Sequence, residues 1–193
     1  VFVEEMEEAL LDGTIDLAVH SAKDMPNPCK KDLGIAGVLP RACVQDVLIY
    51  RAGTDIRSKN TFTVGTGSLR RRCQIKELYP QAECMELRGN VTTRIQKLRD
   101  GLYDAIILAA AGIERLGIEK EPDLVYEYLD VDAMLPAAGQ GIIAIEACEG
   151  TLPYRMAQSI SDAETEACLR AERAVVREME AGCHEPIGVY ATW

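Results

Sequence analysis

Residues 61–79 read TFTVGTGSLRRRCQIKELY, and their order decides the fold class. Thr61 to Val64 is β-branched and aromatic, the composition of a strand, and Gly65-Thr66-Gly67 stops it. The spacing then predicts a helix from about Ser68 to Tyr79, with Pro80 beyond its end. Cys84 to Leu87 reads as the next strand, followed by a helix that Asn90 caps and Gly101 closes. Asp104 to Leu108 is a third strand, leading into a short helix that ends at Leu116. Strands and helices alternate without interruption, which argues for a parallel α/β sheet.

Outward from this block the same pattern is looser. Glu4 to Leu11 reads as a helix closed by Asp12-Gly13, and Ile15 to His20 as a short apolar strand. Ser21 to Pro28 holds two prolines and a Lys-Asp pair and is a loop. Ile35 to Leu39 and Val47 to Tyr50 are strand-like. Leu135 to Gly141 is small and rich in Gly and Pro, and leads into a strand from Ile142 to Glu146. Ser161 to Ala181 is the longest helix, with Ser161 and Glu164 spaced as a capping box and Gly182 as its stop. The chain opens on Val1-Phe2-Val3 without Met, and Ile187 to Trp193 reads as a strand without a partner, so both ends look like cuts through a longer protein.

Composition narrows the function. The 193 residues carry a net charge of −10, and 48% are hydrophobic, enough for a core. An acidic protein is a poor candidate for binding nucleic acid, which requires phosphate neutralisation. No apolar run approaches the ~20 residues that span a bilayer. Yet Arg57 to Arg99 contains ten basic and three acidic residues, a local net charge of +7. A basic block inside an acidic chain is the first functional clue. The seven cysteines are odd in number and show no C-x-x-C spacing, and the two histidines offer no metal-ligand spacing, so neither a disulfide framework nor a metal site is expected.

Several short stretches carry chemistry. Gly65-Thr66-Gly67-Ser68 ends a strand and starts a helix, where free N–H groups and a hydroxyl favour an anion. Arg70 and Arg71 add planar forks suited to carboxylate or phosphate, although adjacent helical positions diverge. The alternative is a solvated basic helix start paired with Glu77 or other acids. Arg88-Gly89-Asn90, with Arg94 in the following helix, repeats the arrangement at the next strand end. In open parallel sheets ligands lie beyond the carboxyl ends of the strands, so two such junctions form a candidate polyanion cradle. There too the competing reading is local pairing, of Arg94 with Asp100 or a nearby acid. His20-Ser21-Ala22-Lys23-Asp24-Met25-Pro26 presents a cation and a carboxylate in a Pro-stiffened loop. Alone, it reads first as a turn with a surface ion pair, and His20 as a satisfied strand-end residue. Cys183 lies past a helix end beside His184, which would favour thiolate, although an ordinary loop thiol explains the stretch as well.

Taken together, AVHSAKDMP, VGTGSLRRRCQ, LRGNVTTRIQKL, YDAIILAAAGIERLG, LPAAGQGIIAIE and AERAVVREMEAGCHEPIG resemble the porphobilinogen deaminase (hydroxymethylbilane synthase) family across nearly the whole chain. The resemblance implies a cytoplasmic, monomeric transferase of tetrapyrrole synthesis without nucleic-acid or membrane partners. Such an enzyme condenses four porphobilinogen molecules head to tail into hydroxymethylbilane, with release of ammonia. It implies a dipyrromethane cofactor held by a thioether to Cys183. It makes Asp24 the catalytic carboxylate that stabilises the cation formed on deamination, with Lys23 beside it. Carboxylate binding falls to Ser21, Thr66, Ser68, Arg70, Arg71, Arg88, Gly89, Asn90 and Arg94, with Arg115 and Gln140 in matching motifs. The implied fold is α/β, with two domains like the lobes of a solute-binding protein plus the start of a third α+β domain. Residues 1–42 and 138–158 would form the first domain, lacking its N-terminal segment. Residues 43–137 would form the second, and 159–193 would begin the third. An inactive fragment, or a carboxylate-binding module of the same fold, is the alternative.

Overall fold

The structure is a computed structural model that describes residues 2–118, 121–179 and 185–193. The chain divides into two compact units. One comprises residues 1–42, 137–183 and 189–193, and the other residues 43–136 with 184–188.

The second unit is a five-stranded sheet built from β3 (Asp46–Arg51), β4 (Phe62–Gly65), β5 (Ala82–Met85), β6 (Ala105–Ala109) and β7 (Leu124–Tyr128), in the order β5-β4-β6-β3-β7. Strand β4 runs parallel to both β5 and β6, whereas β3 is antiparallel to β6 and β7. The sheet is therefore mixed. The parallel sheet expected from alternation holds only for the stretch in which helices cross between strands. Helices α2 (Leu69–Leu78), α3 (Val91–Arg99) and α4 (Ala110–Leu116) supply those crossings.

Side chains alternate across this sheet, and both faces are covered. Val47, Ile49, Ile106 and Leu108 pack with Ile95 and Leu98 of α3 and Ile113 of α4. Leu48, Val64, Ala105 and Ile107 pack on the opposite face with Phe62, Met134 and Ile75 of α2. Covering both faces explains why β3 and β6 read as continuous apolar runs rather than alternating ones. Each such buried aliphatic side chain contributes ~1.5–3 kcal/mol.

The first unit has a three-stranded sheet with β8 (Ile143–Cys148) between β1 (Ala18–Ser21) and β2 (Leu33–Val38), antiparallel to both. Helices α1 (Phe2–Leu11), α5 (Leu152–Gln158) and α6 (Ala163–Glu178) belong to this unit. The pairing of β2 shifts register between Ile35 and Gly37. A Cβ at Gly37 would lie 2.5 Å from the Ala157 carbonyl oxygen of α5, so only glycine fits that approach.

Three details differ from the sequence reading. Strand β7 and helix α5 are additional elements: Leu124–Tyr128 mixes Glu with Tyr, and α5 is only seven residues long. The N-cap of α6 is Asp162, whose Oδ1 accepts from the Thr165 N–H at 2.9 Å, rather than Ser161. Ser161 instead accepts from the Val38 N–H at 3.1 Å and donates to Glu166 at 3.0 Å, tying the helix start to β2. Residues 187–193 adopt no strand.

Candidate functional site

Strands β4 and β5 are parallel neighbours, so the two glycine-containing junctions leave the same end of the sheet. At the first, Ser68 caps α2 by accepting from the Arg71 N–H at 3.4 Å, and Thr66 Oγ1 accepts from the Ser68 N–H at 3.2 Å. Thr66 is buried. At the second, Asn90 caps α3, accepting from the Thr93 N–H at 2.8 Å and from Thr92 Oγ1 at 2.9 Å. Gly89 has φ +118°, and a Cβ there would lie 2.9 Å from Thr93 Cγ2, so the turn requires glycine.

The three consecutive arginines separate, as helical spacing requires, but two of them converge on one acid. Asp46, at the start of β3, is wholly buried. Arg70 donates from Nη2 to Asp46 Oδ2 at 2.7 Å and from Nη1 to the Leu135 carbonyl at 2.6 Å. Arg71 donates from Nε and Nη2 to Asp46 Oδ1 at 3.1 and 2.8 Å, and from Nη1 to the Ile107 carbonyl at 3.1 Å. Both guanidiniums are buried, at 3% and 6% exposure, so this is not a solvated helix start. Burial presses the Asp46 carboxyl upward, yet Arg71 and Arg70 beside it hold it below the ordinary carboxylate range. Burial also draws the Arg70 guanidinium down, against the pull of Asp46. Two guanidiniums on one carboxylate leave one buried positive charge in the trio, and Arg70 Nε has no hydrogen-bond partner among the described residues.

Arg72 takes another direction. It donates to the Thr66 carbonyl at 3.2 Å and pairs with Glu86. Glu86 also meets Arg88 Nε at 3.0 Å. Arg88 is the most open cation of the group, with its side chain 86% exposed. Arg94 donates from Nε to the Gly89 carbonyl at 2.6 Å, while Asp100 accepts from Gln96 at 2.8 Å. The second unit thus brings together Thr66, Ser68, Arg70, Arg71, Arg88, Gly89, Asn90 and Arg94 around two adjacent strand ends.

Ser21, Lys23 and Asp24 belong to the first unit. Strand β1 ends at Ser21, and Ala22–Asp24 forms a short 3₁₀ turn in which Lys23 is half-buried and Asp24 exposed. The turn is anchored by its neighbours. Met25 is buried, Arg173 of α6 donates to the Pro26 carbonyl at 2.7 Å, and Asn27 donates to the Arg173 carbonyl at 2.7 Å. His20 is buried with Nε2 3.1 Å from Glu146 Oε2 of β8, but neither atom makes a hydrogen bond of good geometry among the described residues, so the satisfied strand-end position expected of His20 is not what the structure places there. Burial pushes the Glu146 carboxyl up and the nearby Glu7 adds to this, while His20 works against it. Gln140 is buried and Arg115 is exposed on α4. Cys183 and His184 lie outside the described residues.

Asp46 and Glu86 were not among the sequence candidates. Asp46 carried a usable signal, a single acid opening the apolar run Asp46-Val47-Leu48-Ile49. A carboxylate buried there needs a cation. Glu86 carried none, being one of many exposed acids.

Two family models match the chain. "Porphobilinogen deaminase, dipyromethane cofactor binding domain" covers residues 1–154, and "Porphobilinogen deaminase, C-terminal domain" covers residues 166–193. Curated relatives named porphobilinogen deaminase include that of Roseiflexus castenholzii, 44% identical over 99% of this chain and 63% of its own length. That of Macrococcus caseolyticus is 43% identical over 100% of this chain and 62% of its own length. The chain therefore spans less than two thirds of the length of these relatives. Among solved structures, the periplasmic VFT2 domain of Bordetella pertussis BvgS aligns with a TM-score of 0.52 at 18% identity, over 90% of this chain and 72% of that one. This is a likeness of fold, in keeping with the lobed α/β architecture expected from the sequence.

Proposed function

The chain belongs to the porphobilinogen deaminase family, and on that premise we propose that it serves the family's reaction, the head-to-tail condensation of four porphobilinogen molecules into hydroxymethylbilane with loss of ammonia. The observation that carries this reading is the Asp46–Arg70–Arg71 trio. A buried surplus of one positive charge, with an Nε donor still unpartnered, is costly in isolation and is offset by an anion. Porphobilinogen carries an acetate and a propionate, so a growing chain is a polyanion that suits such a site. The acidic remainder of the protein disfavours nucleic acid as the anion.

The donor set fits a dipyrromethane cofactor, which bears carboxylates of the same kind. In this reading Cys183 holds it by a thioether, and Thr66, Ser68, Arg70, Arg71, Arg88, Gly89, Asn90 and Arg94 receive carboxylates, with Ser21 contributing from its own loop. The bound group supplies a free pyrrole position at which condensation takes place. Asp24, in its exposed turn, offsets the positive charge that develops on a substrate pyrrole as ammonia departs. Lys23, beside it, orients a carboxylate or moves a proton to the leaving amine. Among the described residues no helix is long and apolar enough to cross a membrane. The reading is completed by a cytoplasmic monomer acting on a small molecule.

The test is turnover of the purified chain with porphobilinogen. One ammonia released per porphobilinogen consumed, and one bilane per four, supports the reading. A folded chain that binds pyrrole carboxylates without releasing ammonia contradicts it.

A further inference from the structure

We propose that Glu86 is a resident carboxylate occupying the place of a ligand carboxylate, displaced when ligand binds, and that it thereby sets the affinity of the cradle. The inference rests on the carboxylate-binding reading above. Glu86 follows β5 and sits between the two strand–helix junctions. One of its oxygens meets Arg72 from α2, and the other meets Arg88 Nε, 3.0 Å away. Its Oε1 lies 3.2 Å from where a Cβ on Gly67 would stand, so the carboxylate rests against the turn that opens α2. Two cations and a helix start are what an incoming carboxylate would use, and an internal one already engages them.

Glu86 differs physically from Asp46. Asp46 is wholly buried and cannot leave without exposing two guanidiniums to an apolar interior. The Glu86 side chain is 47% exposed and that of Arg88 86%. Water therefore solvates Glu86 wherever it swings, and exposed ion pairs hold weakly. Asp46 is thus a fixed counter-ion, and Glu86 a displaceable one. Gly67 leaves the space next to it open, because any side chain there would crowd the carboxylate.

The experiment titrates the purified chain calorimetrically with a porphobilinogen analogue lacking the aminomethyl group, a pyrrole with one acetate and one propionate that cannot be deaminated. Glu86→Gln keeps the shape and removes the charge, and as an exposed site it leaves folding unaffected. We expect it to bind the analogue about 5-fold more tightly, as a lost surface ion pair and its repulsion imply. Glu83→Gln, an exposed acid on β5, is expected to match the unsubstituted chain. Adding Arg88→Ala to Glu86→Gln is expected to cancel the gain. Equal or weaker binding by Glu86→Gln, or the same gain from Glu83→Gln, overturns the inference while leaving the cradle standing. Absence of binding by both the unsubstituted chain and Glu86→Gln overturns the cradle and this inference together.

Discussion

Arg71 grips Asp46 with two donors on a single oxygen, Nε at 3.1 Å and Nη2 at 2.8 Å from Oδ1, which leaves Oδ2 to Arg70. One carboxylate therefore anchors two neighbouring arginines that helical geometry would otherwise send apart. The arrangement fixes their forks at the end of the sheet.

Asp46→Asn should show what the anchor is worth. Removing one member of a buried ion group costs about 3–5 kcal/mol, read from urea unfolding at pH 7. The pH dependence follows from the depressed carboxyl. Its contribution is present above the unfolded-state value of about 3.9 and is lost as pH falls through the lower folded-state value. The gap between the unsubstituted chain and Asp46→Asn should close below about pH 4, and a gap that stays constant to lower pH would contradict the assignment.

The two arginines should separate stability from binding. Arg70→Leu removes the surplus charge and leaves Asp46 matched by Arg71. The Leu135 carbonyl keeps its bond from Gln74 at 3.0 Å. Arg71→Leu removes the two Arg71 donors from Oδ1 and leaves the buried Ile107 carbonyl without its bond from Arg71. We expect Arg71→Leu to cost more than Arg70→Leu, by at least about 1 kcal/mol in urea unfolding. Both should weaken binding of a pyrrole dicarboxylate at least tenfold. Equal destabilisation would show that the count of charges does not govern the site.

Asp24→Asn addresses chemistry rather than fold. The side chain is exposed in its turn, so stability should change by less than about 0.5 kcal/mol. Ammonia release from porphobilinogen should fall by at least about 100-fold, the scale of a lost electrostatic stabiliser. Near-normal release would remove Asp24 from the mechanism.

Gly89→Ala tests the second junction. With φ +118° and Thr93 Cγ2 2.9 Å from the new methyl, the turn must distort. A loss of about 1–3 kcal/mol is expected, together with weaker carboxylate binding, because Arg94 is held on the Gly89 carbonyl. An unchanged melting temperature would mean that the turn relaxes freely.

How far the sequence reaches differs by residue. The strand stop at Gly65 and the cap at Asn90 were legible, because glycine freedom and amide capping are local, whereas the second strand, read as Cys84 to Leu87, lies at Ala82–Met85, and Ser68, read as the helix start, caps it. The antiparallel placement of β3 was not, because strand pairing depends on partners distant in the chain. The capping role of Asp162 over Ser161 was decided by a tertiary bond from Val38 that no local pattern contains. Arg70 and Arg71 were legible as anion-seeking groups, but their burial on Asp46 follows from packing between α2 and β3. The sequence also offered no means of separating Glu86 from other exposed acids.

The most direct measurement is the intact mass of the folded chain, expressed in cells that make porphobilinogen, beside that of Cys183→Ser. The account predicts a covalent adduct of dipyrromethane size on the unsubstituted chain and its absence from Cys183→Ser. A folded chain carrying no adduct, or an adduct that persists in Cys183→Ser, would contradict it.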